Sequence, residues 1–265
     1  MSIAKTEIHG NIAVLTLNRP DSLNALGAEG DGAAIAAACN EIVANPAIRC
    51  VVLTGAGRAF SAGGDVKAMK EGTGAFGGAP HDIREGYRRN IHMIVKSLYN
   101  LEVPMIAAVN GPAIGLGCDV ACMADIRIAA DKAKMGVTFL KLGLIPGDGG
   151  AWLLPRLIGS SRAAELLFTG KVIDAQTAAE WGLVSKVVPG EHLMDEAMAL
   201  AEQIAAQPPQ ALRLAKTLMR HGTHASYETI MEMSAASQAL MHKTEDHMEG
   251  VDAILEKRAP DFKGR

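Results

Sequence analysis

Two glycine-rich turns constrain what this chain can fold into more than any other feature. The first is Ala59-Phe60-Ser61-Ala62-Gly63-Gly64-Asp65. The second is Asn110-Gly111-Pro112-Ala113-Ile114-Gly115-Leu116-Gly117-Cys118-Asp119. Each follows a short apolar run, residues 50–54 and 104–109, and each leads into a helix-forming segment. A strand, a glycine turn and a helix start leave backbone N–H groups unbonded and pointing outward. Two such turns that converge supply two donors to one oxygen, which is how an oxyanion hole is built.

The 265 residues are 49% hydrophobic and 21% charged. That suits one globular domain, or one domain with a helical appendage, with a core that needs no staples. A formal net charge of −3 excludes the strong positive field of a nucleic-acid partner. Arg88 and Arg89 still offer a local basic spot to an anionic group. Aromatics are 4% against 28 glycines, which favours close backbone turns over platforms for stacking bases. Cys39, Cys50, Cys118 and Cys122 form no CxxC pair, and the Cys118–Cys122 spacing has no matching pair elsewhere. No metal site is expected, and the cysteines read as buried, reduced thiols of a cytoplasmic protein. The N-terminus has no signal-peptide pattern, and no apolar run reaches the ~18–20 residues of a membrane span.

Short apolar runs predict strands over 12–17, 48–54, 104–109, 126–129 and 184–188. Helical patterns run over 31–44, over 82–99 and from about Gly115. Asp174 is a good N-cap for a short helix that stops at Gly182. Residues 72–80 are the most loop-like stretch and read as a mobile segment. Beyond Glu191 the pattern is helical, with Met194, Ala197, Met198, Ala201 and Ile204 at helical spacing and a break at Pro208-Pro209. The chain therefore divides into an α/β core over 1–190 and a helical region over 191–265. The Met-rich helices of that region pack on the core or on a second copy.

Many segments in order resemble the crotonase superfamily, the enoyl-CoA hydratase/isomerase fold. They include Leu17-Asn18-Arg19-Pro20, Leu23-Asn24-Ala25-Leu26, Phe60-Ser61-Ala62-Gly63-Gly64-Asp65 and Leu142-Gly143-Leu144-Ile145-Pro146-Gly147. Leu166-Leu167-Phe168-Thr169-Gly170, Trp181-Gly182-Leu183-Val184 and Glu256-Lys257-Arg258-Ala259-Pro260-Asp261-Phe262 extend the match over nearly the whole length. The resemblance implies a spiral of ββα units with a helical C-terminal trimerisation region, assembled as a homotrimer or a dimer of trimers. It implies an acyl-CoA thioester as substrate, with coenzyme A entering as part of that substrate and no bound cofactor. Its carbonyl would lie between the N–H groups of Ala62 and Leu116, the second at a helix start whose dipole adds to the donors. Ala25, Leu26, Gly63, Gly64, Asp65, Val66, Lys67 and Gly115 would flank the thioester and its pantetheine arm. Lys257 would reach the coenzyme A phosphates.

The chain departs from the family pattern at its acids. Family hydratases use two glutamates, and those positions fall on Asp119 and Phe139. Phe139 cannot move a proton, so it reads as pocket wall, and the two-glutamate hydration is in doubt. Asp119 is then the first choice for the base. Asp148, in the turn Pro146-Gly147-Asp148-Gly149, is a candidate replacement. Isomerase and dehalogenase branches place an Asp at the position of Gly147, and a β-diketone-hydrolase branch has the same Pro-Gly-Asp-Gly run. A turn-forming Asp between glycines is the ordinary alternative. His92 matches a histidine of the dehalogenase branch, against an ordinary helix-surface reading. The leading function is an enoyl-CoA hydratase or isomerase acting through a thioester enolate. The alternatives are a C–C or thioester hydrolase and an inactive CoA-binding paralogue.

Overall fold

The central strands form where the sequence is mostly apolar. The computed structural model describes residues 2–265. Its strands are β1 (Ala4–His9), β2 (Ile12–Leu17), β3 (Cys50–Gly55), β4 (Met105–Val109), β5 (Ala113–Ile114), β6 (Ile126–Ala130), β7 (Lys134–Gly136), β8 (Val172–Asp174) and β9 (Lys186–Val188). Six of them make one sheet in the order β1-β2-β3-β4-β6-β9, and β5-β7-β8 make a smaller one. β1 and β2 are antiparallel, and every later neighbour in the large sheet is parallel. β3 and β4 are buried at every position, so both faces of the sheet are covered there and the runs do not alternate. β1 is not legible from composition, because it is an edge strand with mostly exposed residues.

The helix Asp31–Ala44 packs on the helix His92–Tyr99, and the helix Leu193–Ala205 lies across β3, β4 and β6. Ala197 and Ala201 on that last helix are fully buried, so the core takes in residues past 190. The segment expected as one helix over 82–99 is helical throughout but not uniform. A π-turn at Tyr87–Ile91 separates Pro80–Gly86 from His92–Tyr99. Residues 72–80 contain a short 3₁₀ turn at Gly74–Phe76 with Ala75 buried, and Pro80 opens the next helix.

The helix Pro209–His221 is fastened to the core by charge. Lys216 Nζ donates to the Val103 carbonyl at 2.7 Å and lies 2.8 Å from Asp125. Arg220 reaches the other Asp125 oxygen at 2.9 Å. The helix Tyr227–Met241 buries no residue, and Tyr227, Met231 and Leu240 on it are exposed. Met248, Ile254 and Leu255 continue that exposed apolar surface on the helix Glu245–Glu256. Among the described residues, no helix is long and apolar enough to cross a membrane.

One buried carboxylate organises the loop that reaches the first glycine turn. Asp31 Oδ2 accepts from the N–H groups of Gly27 and Ala28, each at 3.0 Å, and its oxygens pair with the Arg19 guanidinium at 2.6 and 3.1 Å. Arg19 in turn donates to the Ala25 carbonyl. Asp31→Ala strands the cation and two amides together. It is expected to cost about 3 kcal/mol, the low end for breaking a buried pair because Arg19 keeps some water contact, measured by denaturant unfolding.

Candidate active site

The two glycine turns are in backbone contact. Ser61 donates its N–H to the Pro112 carbonyl at 3.0 Å, and Ile114 donates its N–H to the Ser61 carbonyl at 3.0 Å. Glycine makes this approach possible. A Cβ on Gly117 would fall 2.3 Å from the Ser61 carbonyl oxygen, and one on Gly63 would fall 2.4 Å from the Ile114 carbonyl oxygen. Asn24 braces the first turn from behind. It is fully buried, and its amide donates to the carbonyls of Ala56, Ala59 and Phe60.

This pairing decides which amides are free, and it corrects the donor expected in the first turn. The Ala62 N–H donates to the Leu23 carbonyl at 2.9 Å, so it is already used. The Gly63 N–H donates to Ser61 Oγ at 3.1 Å. Gly64 bridges to Leu26 through its neighbours, as Leu26 N–H bonds Gly63 and Asp65 N–H bonds Leu26. The Gly64 N–H itself has no acceptor among the described residues, and neither does that of Leu116 at the start of the helix Leu116–Met123. Gly64 and Leu116 both line a narrow cavity of about 50 Å³, with Ala62, Gly115, Phe139 and Asp148 also on its wall. Ala62 is thus a wall residue and Gly64 the available donor.

The two aspartates occupy different places. Asp148 lies on the cavity wall, only 3% exposed, with Oδ1 unbonded. Burial pushes its carboxyl up to about 6. Asp119 is 0% exposed and lines no cavity at this site. Its Oδ2 accepts from the Gly150 N–H at 3.0 Å. Burial, then nearby Cys122 and Asp148, hold its carboxyl well above the usual range. A second, mainly apolar cavity of about 630 Å³ opens on the other side of Asp148, bounded by His92, Tyr99, Met123, Trp152 and Leu153. His92 sits there, with Nε2 3.0 Å from the Gly147 carbonyl, so it braces the Asp148 turn.

The remaining candidates take ordinary structural places. Asp65 is the N-cap of the helix Val66–Glu71, accepting from Lys67 and Ala68. Val66 is on the narrow cavity and Lys67 is exposed. Lys257 ends the last helix in the left-handed region and lines neither cavity. Residue types and spacing did not point to Tyr87 or Thr138, yet both line the narrow cavity. Tyr87 arrives there through the π-turn, which no sequence pattern announces. Among the described residues no group of three or more His, Cys, Asp or Glu is placed to hold a metal ion.

The residues of two unbonded amides and Asp148, whose carboxyl is pushed up to about 6 by burial, line one cavity. The chain belongs to the enoyl-CoA hydratase/isomerase family, which it matches over residues 7–265. It is an acyl-CoA-processing enzyme of the hydratase/isomerase type with a crotonase fold. It is similar to the 1,2-epoxyphenylacetyl-CoA isomerase of Escherichia coli, 38% identical over 265 residues with all of both chains covered. It is also similar to the short-chain-enoyl-CoA hydratase of Clostridium acetobutylicum, 36% identical, covering 98% of this chain and 97% of that one. The solved enoyl-CoA hydratase of Bacillus anthracis superposes with a TM-score of 0.93 at 36% identity, with 100% of both chains covered.

Gly117→Ala tests the contact between the turns. Its Cβ drives into the Ser61 carbonyl and moves the Leu116 N–H away from that of Gly64. The expected result is a folded protein with kcat/KM down at least ~100-fold, about the loss of one oxyanion donor. Steady-state kinetics with a circular-dichroism melt on the same sample checks it.

Proposed function

We propose that the chain shifts the double bond of enoyl-CoA thioesters between the 2 and 3 positions through an enolate, with Asp148 as the group that moves the proton. The observation that carries this reading is the placement of Asp148 on the cavity that also bears the two free amides, while Asp119 lines no cavity there. The thioester oxygen accepts from the N–H groups of Gly64 and Leu116. Asp148, ionised, takes a proton from the carbon between the double bond and the carbonyl. The electron pair moves onto the held oxygen, and the same carboxyl returns the proton two carbons away. One carboxyl suffices for this reaction, and Phe139 forms an apolar wall beside it.

Asp119 then serves as a neutral prop. A protonated carboxyl accepts the Gly150 N–H and holds the start of the helix Gly150–Ile158, next to the Asp148 turn. The acyl chain extends beyond Asp148 toward the larger apolar cavity. Ala25 and Leu26 and the segment 63–67 flank the coenzyme A arm, and Lys257 meets its phosphates. The exposed apolar surface of the helices Tyr227–Met241 and Glu245–Glu256 is where copies of the chain assemble as a trimer or a dimer of trimers.

The test uses 3-enoyl-CoA substrates with product identification. Asp148→Asn is expected to lose at least ~100-fold in kcat. Because the base must be ionised, kcat/KM of the parent falls as pH drops through about 6. Asp119→Asn keeps that inflection and much of the rate. An Asp119→Asn variant without the inflection, or a fully active Asp148→Asn, overturns the assignment.

Asp148 also carries a stability signature. Its folded pKa, about 6, lies above its ordinary value of 3.8. Its favourable contribution is therefore complete below about pH 3.8 and is lost as pH rises through 6. Asp148→Asn is expected to be more stable than the parent above pH 6, by ~3 kcal/mol at most, with the gap closing toward pH 4. Urea unfolding at several pH values reads this directly.

A further inference from the structure

Half of the chain's aromatic residues gather around two cavities. It has 5 Phe, 3 Tyr and 2 Trp. Phe76, Tyr87 and Phe139 line the narrow cavity, and Tyr99 and Trp152 line the larger one. Asp148 is on the wall of both, so the two spaces adjoin at that residue. The larger cavity follows one face of the helix His92–Tyr99, where His92, Val95 and Tyr99 recur at helical spacing. His92 marks the Asp148 end, with Nε2 3.0 Å from the Gly147 carbonyl. Tyr99 stands about 10 Å further along the helix axis. There it meets Trp152 with ring centroids 5.7 Å apart and planes at 90°. Each ring is fixed from one side by a guanidinium, Arg220 over Tyr99 and Arg156 over Trp152, both with Cζ 4.1 Å from the centroid. Trp152 is 38% exposed, while Val95, Met123 and Leu153 on the same cavity are buried. Aromatic rings prefer edge-to-face packing, so a third ring finds a preformed corner here. The size agrees. About 150 Å³ of apolar space holds a benzene ring, and this cavity has about 630 Å³.

We propose that this chain prefers acyl-CoA thioesters whose acyl group ends in an aromatic ring, and that Tyr99 and Trp152 set the preference. The inference rests on the reading that the acyl chain extends beyond Asp148. The reacting carbons lie beside Asp148, a short saturated linker passes Val95, and the ring ends in the corner between Tyr99 and Trp152. A ring is favoured there over a straight chain of equal carbon number for two reasons. It arrives rigid, so fewer rotatable bonds are immobilised on binding. Its edge and face also complement those of the two fixed rings, which a methylene chain cannot do.

The experiment compares two substrates of equal carbon number, 6-phenyl-3-hexenoyl-CoA and 3-dodecenoyl-CoA. In neither is a ring conjugated with the reacting double bond. Double-bond migration is followed in the parent, in Trp152→Phe and in Trp152→Leu, all as full chains. The parent is expected to show kcat/KM ~10-fold higher for the phenyl substrate, the size of one good ring–ring contact. Trp152→Leu is expected to erase that ratio and Trp152→Phe to keep most of it. A ratio taken within one sample does not depend on how much of a variant is folded. A parent without the preference, or a Trp152→Leu variant that retains it, overturns the inference on the ring. Titration calorimetry with the saturated 6-phenylhexanoyl-CoA, dodecanoyl-CoA and butanoyl-CoA makes the same comparison without turnover. A parent that binds the phenyl thioester ~10-fold tighter than dodecanoyl-CoA yet migrates neither double bond supports the ring and overturns the proton shift. If neither twelve-carbon thioester binds tighter than butanoyl-CoA, the acyl chain does not enter this cavity, and the inference falls with that reading.

Discussion

Everything at this site depends on two backbone turns lying closer together than side chains allow. The contact from Ser61 to Pro112 and Ile114 is a single isolated bridge. Carbonyl oxygens stand 2.3–2.4 Å from where Gly63 and Gly117 would carry a Cβ. The bridge uses up the Ser61 N–H, and the neighbouring loop uses up that of Ala62. What is left free is one amide from each turn, Gly64 and Leu116. A hydrogen-bond donor is worth most to a developing charge when it needs no reorganisation. Backbone amides pinned by neighbouring bonds meet that condition better than side chains on rotatable stems.

The acid–base part of the site rests on a different cost, that of keeping carboxyls away from water. Asp119 and Asp148 are both almost fully buried, each has an unbonded oxygen, and each carboxyl is driven above its usual range mainly by desolvation. Asp119 is satisfied on one side by Gly150 and is not part of the cavity wall. Asp148 has access, and its value near 6 suits a group that must both take and return a proton near neutral pH. The like charge between the two also matters, because an ionised Asp148 further disfavours ionisation of Asp119. In the proposed reaction such a pair divides the work, one carboxyl moving the proton and one holding the neighbouring helix start.

Much of the fold was legible in the sequence because its signals are local. The runs that became β2, β3, β4 and β6 are mostly apolar and mostly buried, as covered parallel strands require. Asp174 capped its helix as the side-chain chemistry demands. β1 was not legible, since an exposed edge strand has no apolar run. Nor was the π-turn at Tyr87, which is defined by backbone hydrogen bonding that no residue pattern in 82–99 announces. Residues 72–80 read as an open loop, yet Phe76 from that stretch lies against Tyr87 and on the cavity.

By itself the sequence determined that two glycine turns follow buried strands, that a carboxylate replaces one family acid and a phenyl ring the other, and which family the chain resembles. These are statements about residue type and order, and residue type sets chemistry. Only the tertiary structure decided which amide stays free in the first turn, because that depends on Leu23 and Pro112 arriving as acceptors from distant segments. It likewise decided that Asp148 faces the cavity and Asp119 does not. A carboxyl's reach and pKa are set by what surrounds it in space, and neither is written in its neighbours along the chain.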